Sequence, residues 1–291
     1  MTEAWLGISA RRSLPETAAN TFLPTSRVAS SAASEKDSRP EIVLLVDTFT
    51  RHYEPDIAEA ALAVLQAGGY QVVLASTTTD SPEPERPLCC GRTYLAQGML
   101  EEARQEARRL LNALLPHVRA GRLIVGLEPS CLLGLRDDYL ALGLGEEARE
   151  LARAALLFEE FLGKEIMAKR LDLSLRPVAG EGGAIPILVH GHCHQKAVGA
   201  MKSMRKVLKL IPGHRFNMIE AGCCGMAGTF GLEREHAGMS ETMAQQALWP
   251  SLDEAPAARV VANGFSCRRQ IQAHGDRSSQ HLAQLLRDAL A

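Results

Sequence analysis

The triplet Cys-Cys-Gly occurs twice, as Cys89-Cys90-Gly91 and Cys223-Cys224-Gly225. Each copy is followed at nearly the same remove by a Ser-Cys pair, Cys131 lying 41 residues after Cys90 and Cys267 lying 43 after Cys224. The segments around them run in parallel. LCCGRTYLAQGMLEEARQEA matches GCCGMAGTFGLEREHAGMSETMA, and RLIVGLEPSC matches ARVVANGFSC. An internal repeat of this kind restricts the fold before any residue-level reading, because both copies must adopt the same supersecondary unit. Two copies make a pseudo-symmetric pair, not a solenoid.

The apolar pattern within each copy defines that unit. In the first, the run from Ile42 to Val46 is short and continuous, as in a strand buried on both faces. Pro55 opens a helical stretch that Gly68 and Gly69 close. QVVLA follows as a strand, then a helix from about Met99 to Arg119, then RLIVGL as a third strand. The second copy repeats the order: strand IPILVH (185–190), a helix over about 195–210, strand RFNMIEA, a helix over about 232–247, and strand ARVVANG. Strands alternating with helices predict an α/β fold of two pseudo-symmetric parallel-sheet lobes with helices on both faces. Residues 1–40, rich in Ser, Ala, Thr and Pro, read as a flexible tail or linker. Residues 41–175 then form the first lobe with connecting helices, and residues 176–291 the second.

In such sheets ligands gather beyond the carboxyl ends of the strands, and every cysteine here follows a predicted strand. The seven cysteines are an odd number, and no targeting segment is apparent at the N-terminus. In a reducing compartment they are thiols or metal ligands, not a disulfide framework. In the second lobe Cys193, Cys223, Cys224 and Cys267 come from three strand ends and can converge on one centre. Four sulfur donors suit zinc or an iron–sulfur cluster. Adjacent thiolates fit a larger cluster better than a Cys-x-x-Cys zinc knuckle does. Gly225 can adopt positive φ, and its N–H and that of Met226 can donate to sulfur. His190, His192 and His194 surround Cys193; His192 and His194 are expected beside the metal, tuning it or coupling electron to proton transfer. The alternative for these histidines is a polar loop capping the next helix.

The first lobe is poorer. Cys89, Cys90 and Cys131 are a candidate second site, but no cysteine precedes residue 89. Superposing VLLV on ILVH sets Thr50 opposite Cys193, with Asp47 and Thr48 nearby. Asp47, His52 or Glu128 would have to complete a site; otherwise this lobe is a degenerate copy, and Glu128 caps the helix after Cys131. Acids (34) and bases (32) nearly balance, which argues against a nucleic-acid partner. GCCGMAGTFG contains neither GxGxxG nor GxxxxGK[ST], so no nucleotide site is assigned. No apolar run is long enough to span a bilayer.

These motifs resemble the cysteine-rich CCG-domain family. Its members include the cysteine-rich component of heterodisulfide reductase and the iron–sulfur subunits of glycolate oxidase, lactate oxidation systems and anaerobic glycerol-3-phosphate dehydrogenase. The similarity spans about residues 41–275. VDTFTRHYEP, RPLCCGRTYL, LEPSC, HGHCHQKA and CCGMAGTFG look most like the C-terminal part of FAD-linked 2-hydroxy-acid oxidases. The resemblance implies a cytoplasmic, non-catalytic electron-transfer subunit or fragment, in contact with the inner face of the membrane if its acceptor is there. It would carry a [4Fe–4S] cluster and pass electrons from a flavin-dependent dehydrogenase partner, which holds the FAD, to an acceptor. The alternative on the same cysteines is a zinc-binding structural or regulatory domain. The chain departs from the family pattern in lacking the leading cysteine of the first lobe. It also has Glu128 and Gly264 where the family has the first cysteine of a final Cys-x-x-Cys.

Overall fold

The computed structural model describes residues 2–22, 40–78, 81–180, 183–184 and 186–291. The chain divides into two compact units, residues 17–174 with 290, and residues 1–16 with 175–289 and 291.

The 17–174 unit is built on strands β1 (Glu41–Leu45), β2 (Gln71–Leu74), β3 (Leu123–Gly126) and β4 (Ala155–Leu157). They lie side by side in the order β2-β1-β3-β4, all parallel. The central strand β1 explains its own composition: Val43 and Leu44 are fully buried, as parallel strands covered on both faces require. Each such side chain contributes about 1.5–3 kcal/mol by leaving water. The helices of five or more residues are α1 (Thr48–His52), α2 (Pro55–Ala67), α3 (Arg92–Ala96), α4 (Leu100–Arg119), α5 (Pro129–Arg136), α6 (Gly145–Ala154) and α7 (Phe158–Met167). Helix α4 turns Leu110, Leu111, Leu114 and Leu115 inward, the stripe expected of an amphipathic helix. Strand β4 was not anticipated. Its three residues follow α6 with no breaker between them, so the apolar run reads as a continued helix until β3 supplies a pairing edge.

The second unit has strands β5 (Ile187–Val189), β6 (Phe216–Met218) and β7 (Arg259–Val261) in the parallel order β6-β5-β7. That is the same arrangement as β2-β1-β3, so the sequence repeat is a repeat of topology. Its helices are α8 (Cys193–Ala197), α9 (Met201–Leu208), α10 (Ala237–Gln245), α11 (Leu248–Asp253), α12 (Phe265–Gln272) and α13 (Leu282–Asp288). The single helix expected over 195–210 is broken into α8 and α9 at Gly199, whose φ of 73° is left-handed and ends a helix at little cost. The helix expected over 232–247 is likewise shorter. A 3-10 turn at Phe230–Leu232 precedes it, and α10 starts only at Ala237.

The tail expectation needs correction over its first part. Residues 2–6 are helical and Ile8 bridges to Glu233. Arg12 is buried, with its guanidinium donating to Gln270 Oε1 at 3.1 Å and Ser240 Oγ at 3.2 Å. Partners more than two hundred residues away create this order, so local composition does not signal it. The remainder of the expected linker, residues 23–39, lies outside the described residues, as does Ile185 at the start of the expected strand 185–190. Among the described residues, no helix is long and apolar enough to cross a membrane.

Candidate metal centre

Strand β5 runs into the turn Gly191-His192 and straight into α8, whose first residue is Cys193. His192 is the N-cap. Its Nδ1 accepts from His194 N at 3.2 Å, and its own N–H donates to Gln195 Oε1 at 2.8 Å. This capping box satisfies two of the helix's otherwise unpaired donors. It is the capping role weighed for these histidines, and it also aims the ring. His192 Nδ1 lies 3.9 Å from Cys193 Sγ. Its Cδ2 sits where a Cβ on Gly264 would be, at 2.6 Å. Gly264, where the family pattern has a cysteine, is thus filled by imidazole. His194 packs edge-on against His192, with ring centroids 5.3 Å apart.

The Cys-Cys-Gly loop follows β6. Gly225 has φ 89°. A Cβ there would run into the Ser240 carbonyl oxygen and approach its carbon at 3.1 Å, so glycine is required by conformation and by space. The turn aims N–H groups at sulfur: Gly225 N donates to Cys223 Sγ at 3.4 Å, and Met226 N donates to Cys224. Lys196 reaches from α8 to the carbonyls of Ala221 and Gly222, the latter at 2.7 Å, and ties the loop in place. Cys267 arrives from β7 in the first turn of α12, where helix N-termini favour a thiolate. Arg268, buried, holds that turn through the carbonyls of Ala262 and Asn263 at 2.9 and 2.7 Å.

The four cysteines form one hydrogen-bonded row, Cys193–Cys223–Cys224–Cys267. Acidity alternates along it. Cys223 is pushed down to about 2 by hydrogen bonds from Cys193 and Cys224, and Cys267 is lowered by one from Cys224. Cys193 and Cys224, as the donors, are raised. Lys196 lies close enough to interact with all four sulfurs. Cys193 is exposed, Cys223 half-buried, and Cys224 and Cys267 buried. At the buried end stands His190, 1% exposed. One of its ring nitrogens and the sulfurs of Cys224 and Cys267 all lie within 4.8 Å of one another. Among the described residues, neither nitrogen of His190 meets a nitrogen or oxygen partner. An unsatisfied buried polar group costs about 1–3 kcal/mol, a penalty that coordination or donation to sulfur removes. Four cysteine sulfurs and one buried imidazole, that of His190, fit a thiophilic metal or an iron–sulfur cluster.

The 17–174 unit has the same frame with fewer donors. Gly91, φ 76°, donates its N–H to Cys89 Sγ at 3.5 Å, and Arg92 N donates to Cys90. Cys89, Cys90 and Cys131 are again in a hydrogen-bonded row. The residue standing in for Cys193 is Thr48, not Thr50. Thr48 is the first residue of α1, as Cys193 is of α8, and its hydroxyl bonds Cys89 as Cys193 bonds Cys223. Asp47 is the N-cap, accepting from Phe49 N at 2.9 Å and Thr50 N at 3.0 Å. Glu128 caps α5 through Ser130 N at 3.2 Å. Here all three thiols are held up. Cys89 is raised by its bond to Cys90, and Cys90 by its bond to Cys131. Cys131 reaches about 11: the bond from Cys90 lowers it, but burial and the charges of Asp47 and Glu128 outweigh that.

Pattern reading passed over Lys196, and it named His190 and Thr48 only as neighbours of the site. Each had a signal: His190 shares the face of β5 residue Leu188 by period two, Thr48 follows an Asp cap, and Lys196 lies one helical turn from Cys193.

Residues 187–272 match the family model described as the CCG cysteine-rich domain. The matched residues lie within the second unit. Both its Cys-Cys-Gly triplet and its closing cysteine, Cys267, lie within the matched residues, as does Cys193. Across a longer stretch the chain is similar to a component of the anaerobic glycerol-3-phosphate dehydrogenase of Escherichia coli, at 26% identity over all of this chain and 69% of that protein. It is also similar to D-2-hydroxyglutarate dehydrogenase from Pantoea ananatis, 25% identical over 88% of this chain and 23% of that protein. Lactate utilization protein A from Bacillus subtilis is 20% identical over 84% of this chain and 98% of that protein. The chain spans about a quarter of the D-2-hydroxyglutarate dehydrogenase it matches.

Proposed function

We propose that this chain is an electron-transfer component of a dehydrogenase, with an iron–sulfur cluster of the [4Fe–4S] type held by the sulfurs of the CCG domain, Cys193, Cys223, Cys224 and Cys267. The row of four cysteine sulfurs, assembled from three parallel strand ends, carries this reading. When bound, the cluster supplies one-electron storage. The protein's part is to gather the four thiols, to direct the Gly225 and Met226 N–H groups at sulfur, and to set the Lys196 cation beside them. The three relatives named above, two dehydrogenases and a lactate utilization protein, support a flavin-dependent dehydrogenase of small hydroxylated acids or polyol phosphates as the electron donor, with the FAD in that partner. The acceptor is taken to lie at the inner face of the membrane and the chain in the cytoplasm. The first unit, three thiols kept protonated beside two carboxylates, acts as scaffold.

A second reading has one observation in its favour. Three donors within 4.8 Å of one another, His190, Cys224 and Cys267, also suit a single tetrahedral zinc. Anaerobic purification followed by iron, sulfide and zinc analysis separates the two. About four irons and four sulfides per chain support the electron-transfer reading. Zinc without sulfide removes it.

A further inference from the structure

The second unit holds five donors in one connected group: Cys193, Cys223, Cys224, Cys267 and His190. That is one more than a [4Fe–4S] cluster has irons. The two ends of the group differ. At the exposed end, Cys193 Sγ faces solvent and has the His192 ring and the Cys223 sulfur as neighbours. At the buried end, the ring of His190 is sealed from water with both nitrogens lacking a nitrogen or oxygen partner. Its position is set by the sheet, because His190 N donates to Val261 O at 2.8 Å and extends the β5–β7 ladder beyond its last paired residues. A ring held this firmly against two cysteine sulfurs has no hydrated alternative. A surface thiol does.

We infer that His190 takes one iron of the cluster, with Cys223, Cys224 and Cys267 on the others, and that Cys193 is left as a free, solvent-facing thiol beside the loaded centre. The inference rests on the cluster reading above and refines its ligand set. Coordination gives a metal bond to a nitrogen that has no nitrogen or oxygen partner among the described residues, on a residue whose backbone β7 already holds. A neutral imidazole in place of a thiolate also makes the loaded centre less negative by one charge, which raises its potential relative to an all-cysteine centre.

The test uses the intact protein, purified anaerobically with its cluster after growth on [15N]histidine. The reduced centre is expected to show a directly coordinated 15N hyperfine coupling. Iodoacetamide is expected to alkylate Cys193, read by mass spectrometry, with iron and sulfide retained. Cys193→Ser is expected to keep both. His190→Ala is expected to lose iron. Because that variant can also fail to fold, His190→Cys is the second: it should retain iron, lose the 15N coupling and have a lower midpoint potential. Iron and sulfide in the wild-type protein without nitrogen coupling, or loss of iron in Cys193→Ser, overturns the ligand assignment alone. Absence of iron and sulfide from the wild-type protein overturns the cluster reading and this assignment with it.

Discussion

The hydroxyl of Thr48 hydrogen-bonds the sulfur of Cys89. It does so from the first residue of α1, the place that Cys193 holds in α8, where the contact is sulfur to sulfur with Cys223. The two units therefore differ at this position by a hydroxyl and a methyl group in place of a thiol.

Thr48→Cys restores the missing thiol. Because Cys193 is left free in the second unit, and Leu45 and Val46 precede the Asp47 cap where the second unit has His190 ahead of its own, iron taken up on anaerobic reconstitution is expected to stay at the wild-type value. A rise of about four irons per chain would show that this position ligates a cluster and would contradict a free Cys193.

Gly225→Ala places a methyl group against the Ser240 carbonyl at a φ of 89°. Left-handed strain and overpacking together should cost about 2–4 kcal/mol in urea unfolding. Gly91→Ala should cost less, because its nearest atoms, Ala103 O at 3.0 Å and Glu106 Cβ at 3.1 Å, need give only a few tenths of an ångström. Equal losses would mean that backbone conformation alone, not the close approach to Ser240, governs the loop.

Lys196→Met removes the clamp on the Ala221 and Gly222 carbonyls and the cation that faces all four sulfurs. Positive charge favours the reduced, more negative state of a redox centre. Its loss is expected to lower the midpoint potential by on the order of 50 mV and to speed release of iron to a chelator. Potentiometry of wild type and variant side by side checks the sign; a rise in potential would contradict it.

Arg12→Ala leaves Gln270 Oε1 without its buried donor and removes one of the two donors to Ser240 Oγ, the other being Gln270 Nε2. The expected cost is about 2–3 kcal/mol, seen as a lower urea midpoint. An unchanged midpoint would show that residues 1–16 dock without stabilising the second unit.

Much of this was legible beforehand. The paired Cys-Cys-Gly triplets and the short apolar runs named two parallel α/β units, and they put each cysteine after a strand. They did so because strand period, glycine conformation and repeat spacing are local properties that survive in one dimension. Thr50 in place of Thr48 was a register error: apolar runs alone align two strands only to within a residue or two, and the helix cap decides. Strand β4 was hidden for a similar reason, since Ala155–Leu157 has no boundary of its own until β3 pairs with it.

By itself, then, the sequence determined the duplicated α/β plan, the donor chemistry and the inequality of the two halves, with four thiols in one and three in the other. Tertiary structure alone decided which donors are buried and which face water. It brought Arg12 to Gln270, seated His192 in the space beside Gly264, and buried the His190 ring with no nitrogen or oxygen partner among the described residues. Those outcomes depend on which distant surfaces close over a residue, and burial of that kind is a property of the packed chain that no local pattern encodes.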